Sequence, residues 1–320
     1  MNIRITANLL ATPFEYLHDA LRAFRWSKAS PLSPYNRRLH YDILLLAHTV
    51  EKGLSVSKPR KGFGTNKINQ LLNFLGHYDE RWGNFPMEKA YGCLKSYVDW
   101  HASVNFDLGQ LGVKIQEYLT RCELLSLTPK GGVKHIACGT TAPAPEFQQS
   151  LLSRFSCRRF EPVKVTESDL SYIASVAART PSQCNRQSSR VHYYSDREKI
   201  DQLLRLQGGA EGFRESVYNL FLVSSEMSAW SGVKARSQAY VDGSLTAMQV
   251  LNACQSLGLG ACPLNLAVTN IREKNICDAG GISRGERLIM MIAFGVPEKV
   301  DLCVARSERM MPFEVLINHD

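Results

Sequence analysis

Arg154-Phe155-Ser156-Cys157-Arg158-Arg159-Phe160 sets three arginines and a hydroxyl close together, and these are the residue types that hold a phosphate. Arginine's planar fork suits bidentate phosphate contact, and charge-assisted bonds of this kind are about twice as strong as neutral ones. The same residues also read as a solvated basic turn, because surface arginines commonly contribute little. A second polar stretch runs from Thr180 to Arg190 and carries Pro181, Ser182, Gln183, Cys184, Asn185, Arg186 and Gln187. It offers amides, hydroxyls and guanidinium groups in a loop, where binding residues tend to sit, and such a loop can hold a polar heterocycle.

Regular elements must position both stretches. Pro162 to Val165 is strand-like, and Thr166 with Asp169 forms a capping box that opens a helix placing Leu170, Ile173, Ala174 and Ala177 on one face. Pro181 ends that helix, and beyond the loop Val191 and Tyr193 alternate with polar positions as in a half-buried strand. Asp196 caps a further helix with Ile200, Leu203 and Leu204 inward, stopped by Gly208-Gly209. Glu211-Gly212-Phe213-Arg214 reads as a tight turn before a strand at Asn219 to Val223. A helix over 237–257 delivers Gly258 and Gly260 at its end, where positive φ is cheap, and Arg287 to Gly295 reads as a buried strand.

The two polar stretches, in this order, resemble the nitroreductase family of flavin-dependent oxidoreductases. The family's Arg-x-Ser-x-Arg/Lys-x-Phe segment is matched by Arg154, Ser156, Arg158 and Phe160, and its Pro-Ser-x-x-Asn-x-Gln-Pro-Trp loop by Pro181, Ser182, Asn185 and Gln187, with Ser188-Ser189 replacing Pro-Trp. Asp242-Gly243-Ser244 with Leu245, Met248 and Leu251 is similar to the family's central helix, and Leu257 to Asn265 to the segment after it. Arg309 matches a late phosphate arginine. The resemblance implies an α+β, nitroreductase-like fold: a central, mostly antiparallel sheet flanked by helices, here with an all-helical N-terminal extension. It implies FMN as cofactor, NADH or NADPH as hydride donor, and reduction of a small nitro, quinone or enone acceptor by a ping-pong hydride mechanism. It also implies a homodimer with shared FMN sites. Arg154 and Arg309 would then hold the phosphate, Ser156 the phosphate or ribityl chain, and Arg158 the ribityl or pyrimidine oxygens. Pro181, Ser182, Gln183, Asn185 and Gln187 would come from the second subunit, and Arg214 would reach the pyrimidine edge. The backbone of Pro263, Leu264, Asn265 and Leu266 would lie over the central ring, with an amide near Leu266 on N5. Other flavin chemistry on the same fold (dehalogenation, ring oxidation, flavin cleavage) and a non-catalytic flavin-fold binding protein are the alternatives. No Ser-His-Asp order, carboxylate pair or metal spacing competes for the chemistry, so no protein side chain is assigned as catalytic.

The rest of the 320 residues forms the extension. The turn-rich stretch from Lys130-Gly131-Gly132 to Pro145 suggests a boundary, giving residues 1–140 as a helical extension and 141–320 as the FMN-binding domain. Leu10, Phe14, Leu17, Leu21 and Phe24 mark one face of a first helix, which is expected to pack on the body, with attachment to a membrane surface as the alternative. A second helix spans Asn36 to Lys52 with Gly53 as its stop, and others occupy Lys67 to Tyr78, Glu88 to Val104 and Leu111 to Leu125. His48 beside Glu51 reads as a structural hydrogen bond. Arg60, Lys61 and Phe63, between Gly53 and Gly64, have the parts of a lid over an anionic ligand, or of simple turns between helices. The charge of +8 is concentrated in residues 1–150, with 18 basic against 12 acidic, yet no basic block or nucleic-acid motif is present. No run is long enough to span a membrane, and the nine scattered cysteines lack Cys-x-x-Cys spacing, so a cytoplasmic protein with reduced thiols, no metal and no nucleic-acid partner is expected.

Overall fold

In a computed structural model, the description covers residues 3–134, 144–232, 235–300, 302, 304, 305, 307 and 309–319, with residues 3–9 as backbone alone. The expected boundary near 140 lies outside these residues.

Five helices come first: α1 (Ile3–Trp26), α2 (Tyr35–Leu54), α3 (Thr65–His77), α4 (Phe85–Ser103) and α5 (Gly109–Leu124). Helices α2 to α5 enclose a core of their own, with Ile43, Ala47, Ile68, Leu71, Leu94, Tyr97 and Ile115 all buried. Buried tyrosines tie it together: Tyr97 donates its hydroxyl to the Phe63 carbonyl at 2.8 Å, and Tyr118 donates to that of Met87 at 2.9 Å. Gly53 does not stop α2 but lies inside it. A Cβ at Gly53 would sit 2.0 Å from the Phe63 ring, so glycine is needed there for close packing rather than for a turn. The stretch read as a lid or as simple turns between helices is pinned at the same place. The Gly62 amide donates to Nε2 of His101 at 2.9 Å, and the Phe63 ring stacks on His101 with centroids 6.1 Å apart. His48 does bond Glu51, at 3.0 Å, and Glu51 also takes the buried Lys89 ammonium at 2.5 Å.

The second half continues with α6 (Pro145–Ser153), α7 (Glu167–Ala177), β1 (Ser189–Tyr194), α8 (Arg197–Gln207), β2 (Asn219–Glu226), α9 (Gln238–Ser256), β3 (Gly260–Asn265), α10 (Asn270–Gly280), β4 (Glu286–Gly295) and the short α11 (Pro312–Val315). Side-chain caps start three of these helices: Thr166 accepts from the Asp169 amide, Asp196 from Lys199 and Thr269 from Arg272. The strands form one antiparallel sheet in the order β1-β2-β4-β3. Both faces are covered. Leu220, Leu222, Met291 and Ala293 pack toward Ile200, Leu203 and Ile276, while Phe221, Val223, Ile292 and Phe294 pack toward Ile173, Ala247 and Val250. The Phe221 and Phe294 rings stack at 4.0 Å. This is the α+β arrangement expected.

Pro162 to Val165 is irregular rather than a strand. The Asn219 carboxamide accepts from the Val165 amide at 3.1 Å and donates to the Val163 carbonyl at 2.9 Å, occupying groups that strand pairing would use. The first helix also docks by the face opposite to that expected. Leu10, Phe14, Leu17, Leu21 and Phe24 are each at least 58% exposed. Its polar side makes the contacts. Glu15 accepts from the Asn270 amide at 2.8 Å, capping α10, Asp19 pairs with Arg287 at 2.9 Å, and Arg22 with Glu273 at 2.8 Å. α1 is thus fastened to the sheet half by ion pairs, not by apolar burial. No helix among the described residues is long and apolar enough to cross a membrane.

Candidate functional site

The 154–158 segment lies against β3. Ser156 pairs with Ala261 in a parallel bridge, and the Cys157 amide donates to the Ala261 carbonyl at 3.1 Å. Gly260 makes the approach feasible, since a Cβ there would lie 2.7 Å from the Cys157 side chain. Its use is closeness within a strand, not the helix-ending turn expected. Pro263, Leu264 and Asn265 follow on the same strand and Leu266 comes just after it, so Arg154, Ser156, Arg158 and the 263–266 backbone lie along one edge of the sheet. Leu264 is buried and Asn265 exposed, its carbonyl accepting from Gln207 at 2.9 Å.

Among the described residues, Arg154 and Arg158 bond only to neighbouring carbonyls, of Phe155 and Ser156, and the Arg158 guanidinium lies 6.0 Å over the Phe213 ring. Neither faces a carboxylate among the described residues. Arg309, in the tail, is exposed and donates to the Ser307 carbonyl, again without a carboxylate. Other arginines nearby are committed: Arg159 pairs with Glu298 at 2.5 Å, and Arg214 with Asp201 at 2.6 Å and Glu211 at 2.7 Å. Arg214 belongs to this neighbourhood, since Ser216 bonds the Arg158 carbonyl at 2.9 Å, but its charge is already engaged by two carboxylates. Asp201 on α8 is too far along the chain for the sequence to have suggested that pairing.

The 181–187 loop stands at the other edge of the sheet, leading into β1. Strands β2 and β4 separate it from β3, a lateral distance of roughly 14 Å at the usual strand spacing. The loop lies at the end of the sheet where β1 enters and β3 leaves, whereas Ser156, in register with Ala261 and Phe294, lies toward the other end. Within one chain the structure therefore brings together the 150s and 260s but not the 180s. The loop is strongly tied. The Gln183 amide donates to Asp242 Oδ2 at 3.0 Å and the Gln187 amide to Ser182 Oγ at 3.0 Å, while Arg186 lies 5.2 Å over the Trp230 ring. Asp242 is 2% exposed on the inner face of α9, a polar residue among Ala239, Thr246 and Ala247. A carboxylate at a helix position otherwise lined by small residues is the sequence signal for that role in the loop.

Two polar networks near the sheet were not anticipated. Tyr41 donates to Glu226 Oε2 at 2.5 Å, and Arg190 reaches the same carboxylate at 3.3 Å. His192 lies 2.8 Å from Glu286, which also accepts from Ser224. Burial alone would push the Glu286 carboxyl up, but the bonds from His192 and Ser224 hold it below its ordinary value. On α2, burial, with Arg190 and Arg37 nearby, lowers His40 to about 4.

Against known proteins, residues 151–211 match the sequence model described as the nitroreductase family. No curated protein matches the chain. Among solved structures, it is similar to a putative nitroreductase in complex with FMN from Desulfovibrio desulfuricans, at 19% identity and a TM-score of 0.48, over 56% of this chain and 99% of that one. It is also similar to an FMN-dependent nitroreductase from Clostridium difficile, at 17% identity and a TM-score of 0.45, over 53% and 98% of the two chains. A putative NADH oxidase from Clostridium acetobutylicum aligns at 20% identity and a TM-score of 0.46, over 53% and 99%.

Proposed function

Starting from the nitroreductase-family segment at residues 151–211, we propose that the chain is an FMN-dependent oxidoreductase that takes hydride from NADH or NADPH and reduces a small nitro, quinone or enone acceptor. The observation that carries this reading is the state of the arginines: Arg154, Arg158 and Arg309 face no carboxylate among the described residues, whereas Arg159 and Arg214 nearby are ion-paired. Guanidinium groups without carboxylate partners, beside a hydroxyl at Ser156, fit a phosphate that supplies the missing charge.

FMN, when bound, supplies hydride transfer at N5 in a ping-pong cycle. The chain's own residues bind and orient. Arg154 and Arg309 hold the phosphate, Ser156 bonds the phosphate or ribityl chain, and Arg158 sets positive charge beside the ribityl or pyrimidine oxygens. Pro263 to Asn265 offers the outer edge of β3, with an amide near Leu266, just past the strand, for the ring. Pro181, Ser182, Gln183, Asn185 and Gln187 approach from the second subunit of a homodimer. The sheet order favours that sharing, because the 180s loop and β3 stand at opposite edges of one chain. Exposed Val241, Leu245 and Met248, spaced four and three apart along α9, give such a dimer an apolar face. Arg214 contributes to the cation field while anchored by Asp201 and Glu211.

An absorbance spectrum of the purified protein reconstituted with FMN tests this, read before and after NADPH without oxygen. Bound-flavin absorbance that bleaches with NADPH is expected. A protein that retains no FMN through gel filtration contradicts the proposal.

A further inference from the structure

The 182–188 loop carries backbone conformations that its residues disfavour. Cys184, Asn185 and Gln187 have φ of 53°, 52° and 54°, in the left-handed region that favours glycine. Such conformations persist only where the surroundings over-determine them. Part of what holds this loop comes from the helical half. Arg190 donates from Nη1 to the Gln187 carbonyl at 3.0 Å and to that of Ser189 at 2.9 Å, while the Glu226 amide donates to the Ser188 carbonyl at 3.0 Å. The other arm of Arg190 is aimed by Glu226 and by the Tyr41 hydroxyl, at 3.3 and 3.5 Å.

Tyr41 lies on α2, is 1% exposed, and donates to Glu226 Oε2 at 2.5 Å, with Arg37 of the same helix on Oε1. α2 also packs against the turn Gln183–Asn185. Trp230, over which Arg186 lies, shares an apolar cluster with Tyr41 and Leu44. We propose that Tyr41 is a positioning residue for the 182–188 loop, fixing Glu226 so that Arg190 holds the Gln187 and Ser189 carbonyls. The N-terminal helices are in that case a working part of the loop's architecture. That the loop meets a flavin rests on the function proposed above; that Tyr41 orders the loop does not.

The test uses the full-length, flavin-stripped chain and the thiol of Cys184, the one cysteine among those described that is not buried. Iodoacetamide labelling of Cys184 is followed by peptide mass spectrometry in the parent, Tyr41→Phe, Glu226→Gln and, as control, Tyr97→Phe. The control loses an equally buried tyrosine bond, to Phe63, away from the loop. Loss of the Tyr41 bond lowers the free energy of local opening, so Cys184 should label about fivefold faster or more in Tyr41→Phe and Glu226→Gln and at the parental rate in Tyr97→Phe. FMN affinity, by fluorescence quenching, should fall in the same two variants by a similar factor. Parental labelling in Tyr41→Phe and Glu226→Gln, or equal acceleration in Tyr97→Phe, overturns the proposal. If the parent binds no FMN, the cofactor reading fails and the labelling rates still decide the role of Tyr41.

Discussion

The stretches around 154–158 and 182–188 are both polar segments beside one sheet, at opposite edges and toward opposite ends of it, and they are built oppositely. The first has a simple backbone and guanidinium groups that meet only nearby carbonyls. The second has three non-glycine residues at positive φ, and its amides and carbonyls are held by Asp242, Ser182 and Arg190. Charge kept unpaired suits a loop that must take up a charged ligand group. A strained loop with several amides and carbonyls tied suits one that must present a fixed surface, since pre-organisation lowers the cost of binding. Mutations should separate the two: one loop should lose affinity without losing stability, and the other should lose order first.

The largest effect is expected at the arginines. Arg154→Ala and Arg309→Ala should each weaken FMN binding about tenfold or more, from charge-assisted bonds of about 1.5 to 3 kcal/mol, and leave the thermal midpoint unchanged. Isothermal titration beside differential scanning calorimetry measures both. An equal fall in stability would mean these side chains hold the fold as well.

The next effect sharpens the comparison from the other loop's side. His40, on the helix that carries Tyr41, has a folded pKa lowered from 6.5 to about 4 by burial and by Arg190 and Arg37. A depressed folded value means the unfolded chain binds the proton more readily. This contribution is therefore complete above pH 6.5 and is lost as pH falls from there toward 4, amounting to about 3 kcal/mol at the acid end. Urea unfolding of the parent and His40→Asn at pH 7 and pH 4.5 should show a smaller acid loss in the variant. Parallel losses would remove His40 from the explanation.

What the sequence revealed and what it concealed have physical reasons. Helices announced themselves by apolar period and by side-chain caps at Thr166 and Asp196, because both signals are local. The docking face of α1 was misread, since Leu10, Phe14, Leu17, Leu21 and Phe24 gave the period while Glu15, Asp19 and Arg22 make the contacts, with partners more than 250 residues away. The glycines Gly53 and Gly260 looked like stops because a sequence does not display the Phe63 ring or the Cys157 side chain that needs the space. The polar character of the 150s and 180s was legible. That they stand at opposite edges of the sheet was not, because strand order depends on pairings between distant segments. Asp242 and the Tyr41–Glu226–Arg190 network were hidden for the same reason.

The central claim is that one flavin is held by the 150s of one chain and the 180s of another. Complementation tests it most directly. Arg154→Ala and Asn185→Ala chains, each weak in FMN binding alone, are unfolded together, refolded as a mixture and titrated with FMN. Random pairing makes half the dimers mixed, and each mixed dimer carries one site with both parental loops, so tight binding should return at about one quarter of the sites. Tight binding that stays absent from the mixture, or a monomeric parent that binds FMN tightly, would contradict the account.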